Sequence, residues 1–288
     1  MTLEQLLKNT ARRFGIPYDT VLKDYVIGHV LSALAAEPAI AETLVMKGGT
    51  ALKKLYFGDY RFSEDLDFSA VGGPRGPELE TAFRSVGVRA EMALSRTGLF
   101  RVWTERVTHD APHPRGQEDF VFRVQYPWQP KPFCVLKAEV TVDEPVLLPA
   151  AARPILHGYD EDLAGMVRVY AIEEVLAEKL RALLQNEARR GTRRWVRPRG
   201  RDVYDLWRIL TSPPVPVDRD ALRRILPDKC AVRGVTYTTS ADFFPEPLLT
   251  LVRQKWEDDL GALVADLPPI GDVLPVLKAD VAQLLGET

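Results

Sequence analysis

Apolar residues recur at helical spacing in the first two segments of the chain, residues 3–14 and 18–36. Gly15 and Pro17 separate the two segments, and Pro38 follows the second. Because glycine and proline end helices, this pattern predicts two consecutive helices. They form a helical lead-in to the rest of the chain.

The next segment alternates between strand and helix patterns. A short apolar run at residues 44–46 predicts a strand, and a Gly-Gly pair separates it from a predicted helix at residues 50–56. A second strand is expected at residues 66–69, followed by a longer helix at residues 78–95. This alternation indicates an α/β core.

Three runs with strand periodicity follow and are separated by proline-rich turns; they cover residues 100–108, 120–126 and 133–142. Hairpin connections make this part of the sheet antiparallel. Beyond residues 145–154 the pattern becomes mainly helical, with helices expected at residues 171–185, 246–263 and 273–285. We therefore predict an α+β protein with two domains. The first, residues 1–148, contains a mixed sheet and the N-terminal helices, and the second, residues 149–288, is mainly helical.

Composition is that of a globular protein, because 46% of the 288 residues are hydrophobic and 27% are charged. The sequence has no run of eighteen apolar residues and no basic start with a long apolar core at its N-terminus. We therefore expect a cytoplasmic protein that does not associate with membranes. Cys134 falls in a strand pattern and Cys230 in an expected loop, which indicates neither a disulfide framework nor a cysteine-based metal site.

Asp65 and Asp67 flank a single apolar residue in the second predicted strand, so their side chains point to the same face. Two adjacent carboxylates repel each other unless a cation lies between them, and Mg²⁺ prefers such oxygen ligands. The same spacing occurs at solvated strand ends and in phosphohydrolases of the haloacid dehalogenase type. Those enzymes need a buried strand before the first aspartate, whereas residues 58–64 are polar and turn-like. We therefore predict a Mg²⁺ site.

Gly48, Gly49 and Thr50 lie between the first predicted strand and its helix. Backbone amides at a helix N-terminus bind phosphate oxygens, although a Gly-Gly pair also forms tight turns that bind no ligand. With the aspartates shortly downstream, the two segments together predict a site in which one part holds phosphates and the other a metal ion.

Glu139 lies on the polar face of the third strand run. A third carboxylate on a strand beside Asp65 and Asp67 would complete a ligand set for two metal ions. The alternative is a solvent-facing glutamate paired with Lys137 on the same face.

Lys179 lies within the apolar stripe of the helix predicted at residues 171–185. Its ammonium group can reach the surface along its own stem, or it can point into a cleft that holds phosphates. Asp202 and Asp205 lie one helical turn apart farther along the chain. Asp202, in a first turn, can simply complement the helix dipole, and this alternative applies less readily to Asp205.

Between residues 189 and 201 the chain has seven arginines, one tryptophan and no acidic residue. Arginines neutralise phosphates and an indole ring stacks on bases, so the segment predicts RNA binding, although it can also be a solvated loop. The residues that we assign to this role are Arg190, Arg193, Arg194, Trp195, Arg197 and Arg199.

Several motifs together resemble those of the AbiEii/AbiGii-type nucleotidyltransferase toxins, to which the MenT group belongs. The motifs are Lys47-Gly-Gly-Thr50, Arg61-Phe-Ser63 with Asp65-Leu-Asp67, Glu139, Lys179 in Ala177-Glu-Lys-Leu-Arg181, and Asp202-Val-Tyr-Asp205 with Arg208. They occur in the order of the family and extend over residues 20–210. The resemblance adds little beyond residue 215.

The resemblance implies a nucleotidyltransferase core whose active site lies in a cleft completed by the helical part. Asp65 and Asp67 would hold Mg²⁺, with Glu139 at the position of a third, less strict acid. Lys47, Gly48, Gly49, Thr50, Ser63 and Lys179 would contact the NTP, and Ser63 occupies the position of a hydroxyl that an antitoxin can target.

The resemblance further implies that Asp202 or Asp205 would activate or position the acceptor hydroxyl. The expected function is that of a toxin that transfers NMP from an NTP to RNA, most readily the 3′ end of tRNA, and that has a cognate antitoxin. Two alternatives remain: transfer to a protein or small-molecule hydroxyl, and a catalytically inactive nucleotide-binding module.

Overall fold

The computed structural model describes residues 1–108, 116–132, 134–190 and 197–287. It divides the chain into two compact units, Met1–Tyr170 and Ala171–Thr288. The sequence-based boundary after residue 148 falls earlier than this division. Two short strands beyond residue 148 pair with the sheet of the first unit, which therefore extends to Tyr170.

The first unit begins with the two predicted helices, α1 (Leu3–Phe14) and α2 (Tyr18–Ala35). Thr2 and Gln5 form a capping box at the start of α1, and Gly15 ends the helix in the left-handed conformation. Helix α2 is buried on nearly all sides, as expected for a helix that packs between other elements.

Two more helices belong to this unit. Helix α3 (Gly48–Ala51) continues into a π-helical turn at Leu52–Phe57, and α4 spans Pro77–Leu94. The helix predicted at residues 50–56 thus begins two residues earlier, so the Gly-Gly pair forms its first turn.

One sheet contains the strands β1 (Leu44–Lys47), β2 (Asp65–Ala70), β3 (Arg101–Val107), β4 (Glu118–Gln125), β5 (Cys134–Thr141), β6 (Ala151–Pro154) and β7 (Met166–Val169). Their order is β3-β4-β5-β2-β1-β7-β6. The predicted antiparallel pairing of β3 with β4 and of β4 with β5 is confirmed, while β2 pairs in parallel with β5. Helix α4 packs on this sheet, where Phe83 stacks on Phe120 with ring centroids 4.2 Å apart.

The expectation that the chain becomes mainly helical after residues 145–154 is wrong for β6 and β7. Each strand has four residues, too few for a clear alternating pattern. Val167 and Val169 nevertheless point into the core, and β6 lies at the sheet edge, where Pro154 is tolerated.

The second unit is helical in its described part. It contains α5 (Ile172–Ala188), α6 (Gly200–Thr211), α7 (Arg219–Ala231), a 3-10 turn at Ser240–Phe243, α8 (Glu246–Leu260) and α9 (Ile270–Leu285). Helix α5 packs against α6 and α7, and α6 packs against α8 and α9. Buried Lys229 on α7 pairs with Glu174 on α5 at 2.7 Å.

The prediction that Cys230 lies in a loop is wrong. Cys230 lies in the last turn of α7 and not in a loop, and its side chain is buried. Pro227 lies inside this helix and interrupts the helical sequence pattern, although the buried face of Leu222, Ile225 and Leu226 holds the helix in place. Among the described residues, no helix is long and apolar enough to cross a lipid bilayer.

Candidate active site

Four polar residues lie side by side across four neighbouring strands of the first unit. Lys47 on β1 is opposite Asp67 on β2, Asp67 is opposite Glu139 on β5, and Glu139 is opposite Asp119 on β4. Directly paired residues of a sheet point to the same face. The structure therefore gathers three carboxylates and one ammonium group in a single row, which we call the polar row.

Asp65 extends the polar row by one position along β2, because residues two apart on a strand share a face. Asp65 is exposed, whereas Asp67 and Glu139 are half-buried. Carboxylates arranged in this way on adjacent strands are the oxygen ligands that Mg²⁺ takes in phosphoryl-transfer sites. The three acids predicted as metal ligands thus fit a metal ion. Glu139 lies opposite Asp67, and Lys137 lies opposite Asp65 on the same face.

The Gly-Gly pair touches the polar row directly. Gly48 adopts a left-handed φ of +78°, and a Cβ atom there would lie 2.5 Å from Oδ2 of Asp67. A Cβ atom at Gly49 would lie 2.3 Å from the Arg61 guanidinium and 3.0 Å from Oγ of Ser63. Position 48 therefore requires glycine for its backbone conformation, whereas a side chain at position 49 would displace the end of the Arg61 side chain. The two sequence motifs are adjacent in space.

Thr50 and Lys47 have partners of their own. The buried Thr50 hydroxyl donates a hydrogen bond to the backbone carbonyl of Asp65 at 2.5 Å, which fixes the start of β2 against α3. Any phosphate contact of Thr50 would therefore involve its backbone amide. Lys47 Nζ lies 3.5 Å from Oγ1 of Thr141 and 5.8 Å from the Tyr170 ring centroid.

Asp119 is the member of the polar row that the sequence did not reveal. The Gln117 side chain donates hydrogen bonds to Oδ1 of Asp119 at 2.7 Å and to Oε2 of Glu139 at 3.1 Å. This amide holds the two carboxylates together. The alternation Asp119, Val121, Arg123 marks an outward face of β4, but only the pairing with β5 shows that Asp119 lies opposite Glu139.

A second polar cluster lies in the helical unit. Lys179 on α5 is buried, and its Nζ atom lies 3.2 Å from Oδ1 of Asp202 and 2.5 Å from Oδ2 of Asp205, both on α6. Nη1 of Arg199 lies 3.1 Å from Oδ2 of Asp202. The lysine thus points inward to two acids rather than reaching the surface, and the structure brings together the three residues predicted for this unit.

The two acids of this cluster differ in the solvent exposure of their side chains. The side chain of Asp205 is fully buried, whereas that of Asp202 is 20% exposed. Burial by itself raises the pKa of Asp202, but Lys179 and Arg199 outweigh it, so that this pKa lies below its ordinary value. Asp202 is therefore an ionised carboxylate at neutral pH.

Comparison with known proteins identifies the family. The model of the family described as "Nucleotidyl transferase AbiEii toxin, Type IV TA system" matches residues 29–285. The chain belongs to the AbiEii family. It is therefore an enzyme, a nucleotidyltransferase toxin of a type IV toxin–antitoxin system, and this membership implies an NTP substrate and an antitoxin partner.

One solved structure also resembles this AbiEii protein, the nucleotidyltransferase toxin MenT4 from Mycobacterium tuberculosis H37Rv. The sequences are 23% identical, the TM-score is 0.64, and the match covers 99% of this chain and 89% of that chain. At this identity the likeness shows a shared fold, which confirms the predicted α+β nucleotidyltransferase-like class. Among curated proteins, no sequence matches.

The arginine-rich segment of this AbiEii protein is described only in part. Arg193, Arg194 and Trp195 lie outside the described residues. Arg190 pairs with Glu187 at 2.9 Å and Arg199 with Asp202, while Arg197 is exposed. Two of the arginines predicted to bind RNA therefore have acidic partners within their own unit.

Proposed function

We propose that this toxin transfers a nucleoside monophosphate from an NTP to an RNA acceptor, with the 3′ end of tRNA as the preferred site, in a reaction that depends on Mg²⁺. The observation that carries the proposal is the polar row, in which Asp67 and Glu139 are cross-strand partners next to Asp65 and in contact with the Gly-Gly turn. Carboxylates beside a phosphate-binding turn are what in-line attack on an α-phosphate requires.

Each group of the first unit then has a defined task. Asp65 and Asp67 would hold the metal, with Glu139 as the third carboxylate. Bound Mg²⁺ would neutralise the negative charge that develops on the phosphate oxygens during transfer. The backbone amides at Gly48 and Gly49 form the first turn of α3, and we assign the contact with phosphate oxygens to them.

The remaining assigned residues of this unit lie around that turn. Lys47 stands at one end of the polar row, and Ser63 lies against Gly49. We assign a phosphate-neutralising role to Lys47. Ser63 is assigned to NTP contact and to the hydroxyl that the antitoxin targets.

For the helical unit we propose different roles for the two acids. Asp202 is ionised and partly exposed, so it is the carboxylate that an acceptor hydroxyl can reach. Asp205 is fully buried and holds Lys179 in place, which makes it a positioning residue. Lys179 would neutralise triphosphate charge, as a compact cation does at such sites.

The choice of RNA rests on charge. Seven arginines and no acid occur between residues 189 and 201, and such a segment neutralises several phosphates of a polynucleotide. The ion pairs of Arg190 and Arg199 with nearby acids lower the number of arginines available, which favours the alternative of a protein or small-molecule acceptor. The experiment must therefore report on the acceptor as well as on the reaction.

The purified protein is incubated with total tRNA, Mg²⁺ and each α-labelled NTP in turn, beside the variants Asp65→Asn and Asp59→Asn. Asp59 is an exposed aspartate of the same unit and serves as a matched control. We expect label on tRNA with the wild type and with Asp59→Asn, but none with Asp65→Asn or after Mg²⁺ is removed. Label on protein or on a small molecule, and none on tRNA, would show that the acceptor is not RNA. Label on tRNA at the wild-type level with Asp65→Asn would overturn the metal site.

A charge series tests the arginine-rich segment separately. The triple variant Arg193→Gln/Arg194→Gln/Arg197→Gln is compared with Arg84→Gln/Arg96→Gln/Arg101→Gln, which removes the same charge from exposed positions in the first unit. For a single-stranded 3′ end, each lost phosphate contact lowers the slope of log affinity against log salt by about 0.7. We expect a shallower slope only for the first variant. Equal slopes for both variants would show that these three arginines do not contact the RNA.

A further inference from the structure

Two histidines and one glutamate form a compact cluster in the first unit, and none of them is among the residues assigned to nucleotidyl transfer. His29 lies on α2, while His157 and Glu161 lie in the segment between β6 and β7. One potential metal-binding atom from each of the three residues lies within 4.8 Å of the other two. We call these residues the His-His-Glu cluster.

The nitrogen atoms of this cluster have few hydrogen-bond partners. Both histidine side chains are buried, and neither ring nitrogen of His157 has a hydrogen-bond partner among the described residues; the same holds for Nδ1 of His29. The contact of His157 Nε2 with Oε1 of Glu161 is 3.8 Å, too long for a hydrogen bond. Leaving such nitrogens buried and unsatisfied is unfavourable, and an ion bound to one nitrogen of each ring would give that nitrogen a partner.

The two oxygen-to-nitrogen distances in the cluster are slightly longer than those between ligands of a tetrahedral metal ion, so a small inward movement of the side chains would complete the site. Oε1 of Glu161 lies 3.4 Å from Nε2 of His29 and 3.8 Å from Nε2 of His157. Ligands bound at about 2.0–2.1 Å in a tetrahedron are about 3.3 Å apart. Two imidazoles with one carboxylate are a ligand set that Zn²⁺ and related transition metals accept, with one position left for water.

Surrounding residues support the orientation of these ligands. The Tyr25 hydroxyl donates a hydrogen bond to Oε1 of Glu161, as outer groups commonly do for a metal-binding carboxylate. Gly28 makes room for His157, because a Cβ atom there would lie 2.3 Å from its Nδ1 atom. Glu161 is 27% exposed, which gives an ion a path from solvent.

The positive charge of Lys54 lies near the His-His-Glu cluster and disfavours the binding of a metal ion there. Lys54 is buried close to the histidines, but its ammonium group pairs with Asp24 at 2.8 Å, and the Tyr159 hydroxyl donates to the same carboxylate at 2.9 Å. Lys54 and Asp24 cancel each other, and Glu161 supplies one further negative charge. The local charge balance therefore accommodates a divalent ion.

We propose that His29, His157 and Glu161 bind one divalent transition-metal ion of the Zn²⁺ class, which ties the segment between β6 and β7 to α2. This site is distinct in its ligands from the carboxylates of the polar row, which suit Mg²⁺. The bound ion would cross-link two segments that are distant in the sequence, so its binding would stabilise the folded state.

The test is Zn²⁺ binding by the full chain after chelator treatment, measured by calorimetry in excess Mg²⁺, with thermal unfolding in parallel. The wild type should bind one equivalent of Zn²⁺ and unfold at a higher temperature with the ion than without it. Glu161→Gln keeps an acceptor for the Tyr25 hydroxyl and should weaken binding at least tenfold. His157→Gln should do the same.

Two controls show whether Zn²⁺ binds at the His-His-Glu cluster or elsewhere on the chain. The chain has two other histidines, and the variant His109→Gln/His113→Gln should bind Zn²⁺ as the wild type does. Asp65→Asn should also bind it unchanged, so failure of the proposed transfer reaction leaves this result intact. Absence of Zn²⁺ binding by the wild type, or wild-type affinity in Glu161→Gln and His157→Gln, overturns the proposal.

Discussion

The contact between Gly48 and Asp67 gives the sharpest test of the candidate active site. Alanine at position 48 introduces a Cβ atom 2.5 Å from Oδ2 of Asp67 and must also adopt the left-handed φ of +78°. The backbone strain and the collision with Asp67 have different effects. The backbone strain affects the stability of the fold, whereas the collision affects the position of a proposed metal ligand.

Gly72 allows the two consequences to be separated. It has a similar φ of +73°, and a Cβ atom there meets no heavy atom within 4 Å. Each alanine variant should lose about 1–2 kcal/mol of unfolding free energy from the left-handed backbone. In Gly48→Ala, the Asp67 oxygen must also move from 2.5 Å to an ordinary contact of 3.4 Å, a displacement of about 0.9 Å. Displacements of this size cost roughly 10²-fold in rate.

The assay compares NMP transfer from an α-labelled NTP by Gly48→Ala, Gly72→Ala and the wild type. Urea unfolding of each variant shows that the protein is folded under the assay conditions. We expect Gly72→Ala to transfer at close to the wild-type rate and Gly48→Ala to be about 10²-fold slower. If the two variants lose similar stability and transfer at similar rates, the placement of Asp67 in the active site is refuted.

Three further predictions concern buried charges. Lys229→Met should lower stability by about 3–5 kcal/mol because it removes the lysine that pairs with buried Glu174, and the addition of Glu174→Gln should recover part of this loss in urea unfolding. Asp202→Asn should lower kcat with little change in the unfolding temperature. Asp205→Asn should lower both kcat and the unfolding temperature, because Asp205 is fully buried against Lys179, with which both aspartates pair. Burial lowers the pKa of Lys54 to about 8, so stability should rise as the pH increases above 8, by up to about 1.4 kcal/mol per pH unit, and Lys54→Met should remove this rise.

The direction of the Lys54 effect follows from proton binding in the two states. Above pH 8 the folded protein has released the proton while the unfolded chain keeps it up to about pH 10.4, so rising pH favours the folded state. Asp24 opposes this shift and Lys53 reinforces it, and both effects are included in the lowered pKa. Equal pH dependence in the wild type and in Lys54→Met would contradict the prediction. For the aspartates, a loss of kcat only in Asp205→Asn would reverse the proposed roles.

Local periodicity was sufficient to place Asp65, Asp67 and Glu139 on polar strand faces. The alternating pattern of β2 and β5 depends on the pleat of each strand, so it can be read from a few consecutive residues. Lys179 stood out because it lies within an apolar stripe, but its pairing with two acids was not predicted from the sequence.

Features that depend on distant parts of the chain were not predictable in this way. Asp119 joins the polar row only through the register between β4 and β5. The strands β6 and β7 are too short for a clear pattern, and Pro227 obscured α7. His29 and His157 are far apart in the sequence, so nothing local indicated that their imidazoles meet.

The register of β2 also links correct folding to activity. A slip of one residue relative to β5 would place Leu66 or Phe68 opposite Glu139 and turn both aspartates toward the opposite face of the sheet. Such a misfolded copy would bury two carboxylates and lose the proposed metal ligands at the same time. A chain that has not yet formed this pairing therefore lacks the proposed metal ligands, and we expect it to be inactive in NMP transfer.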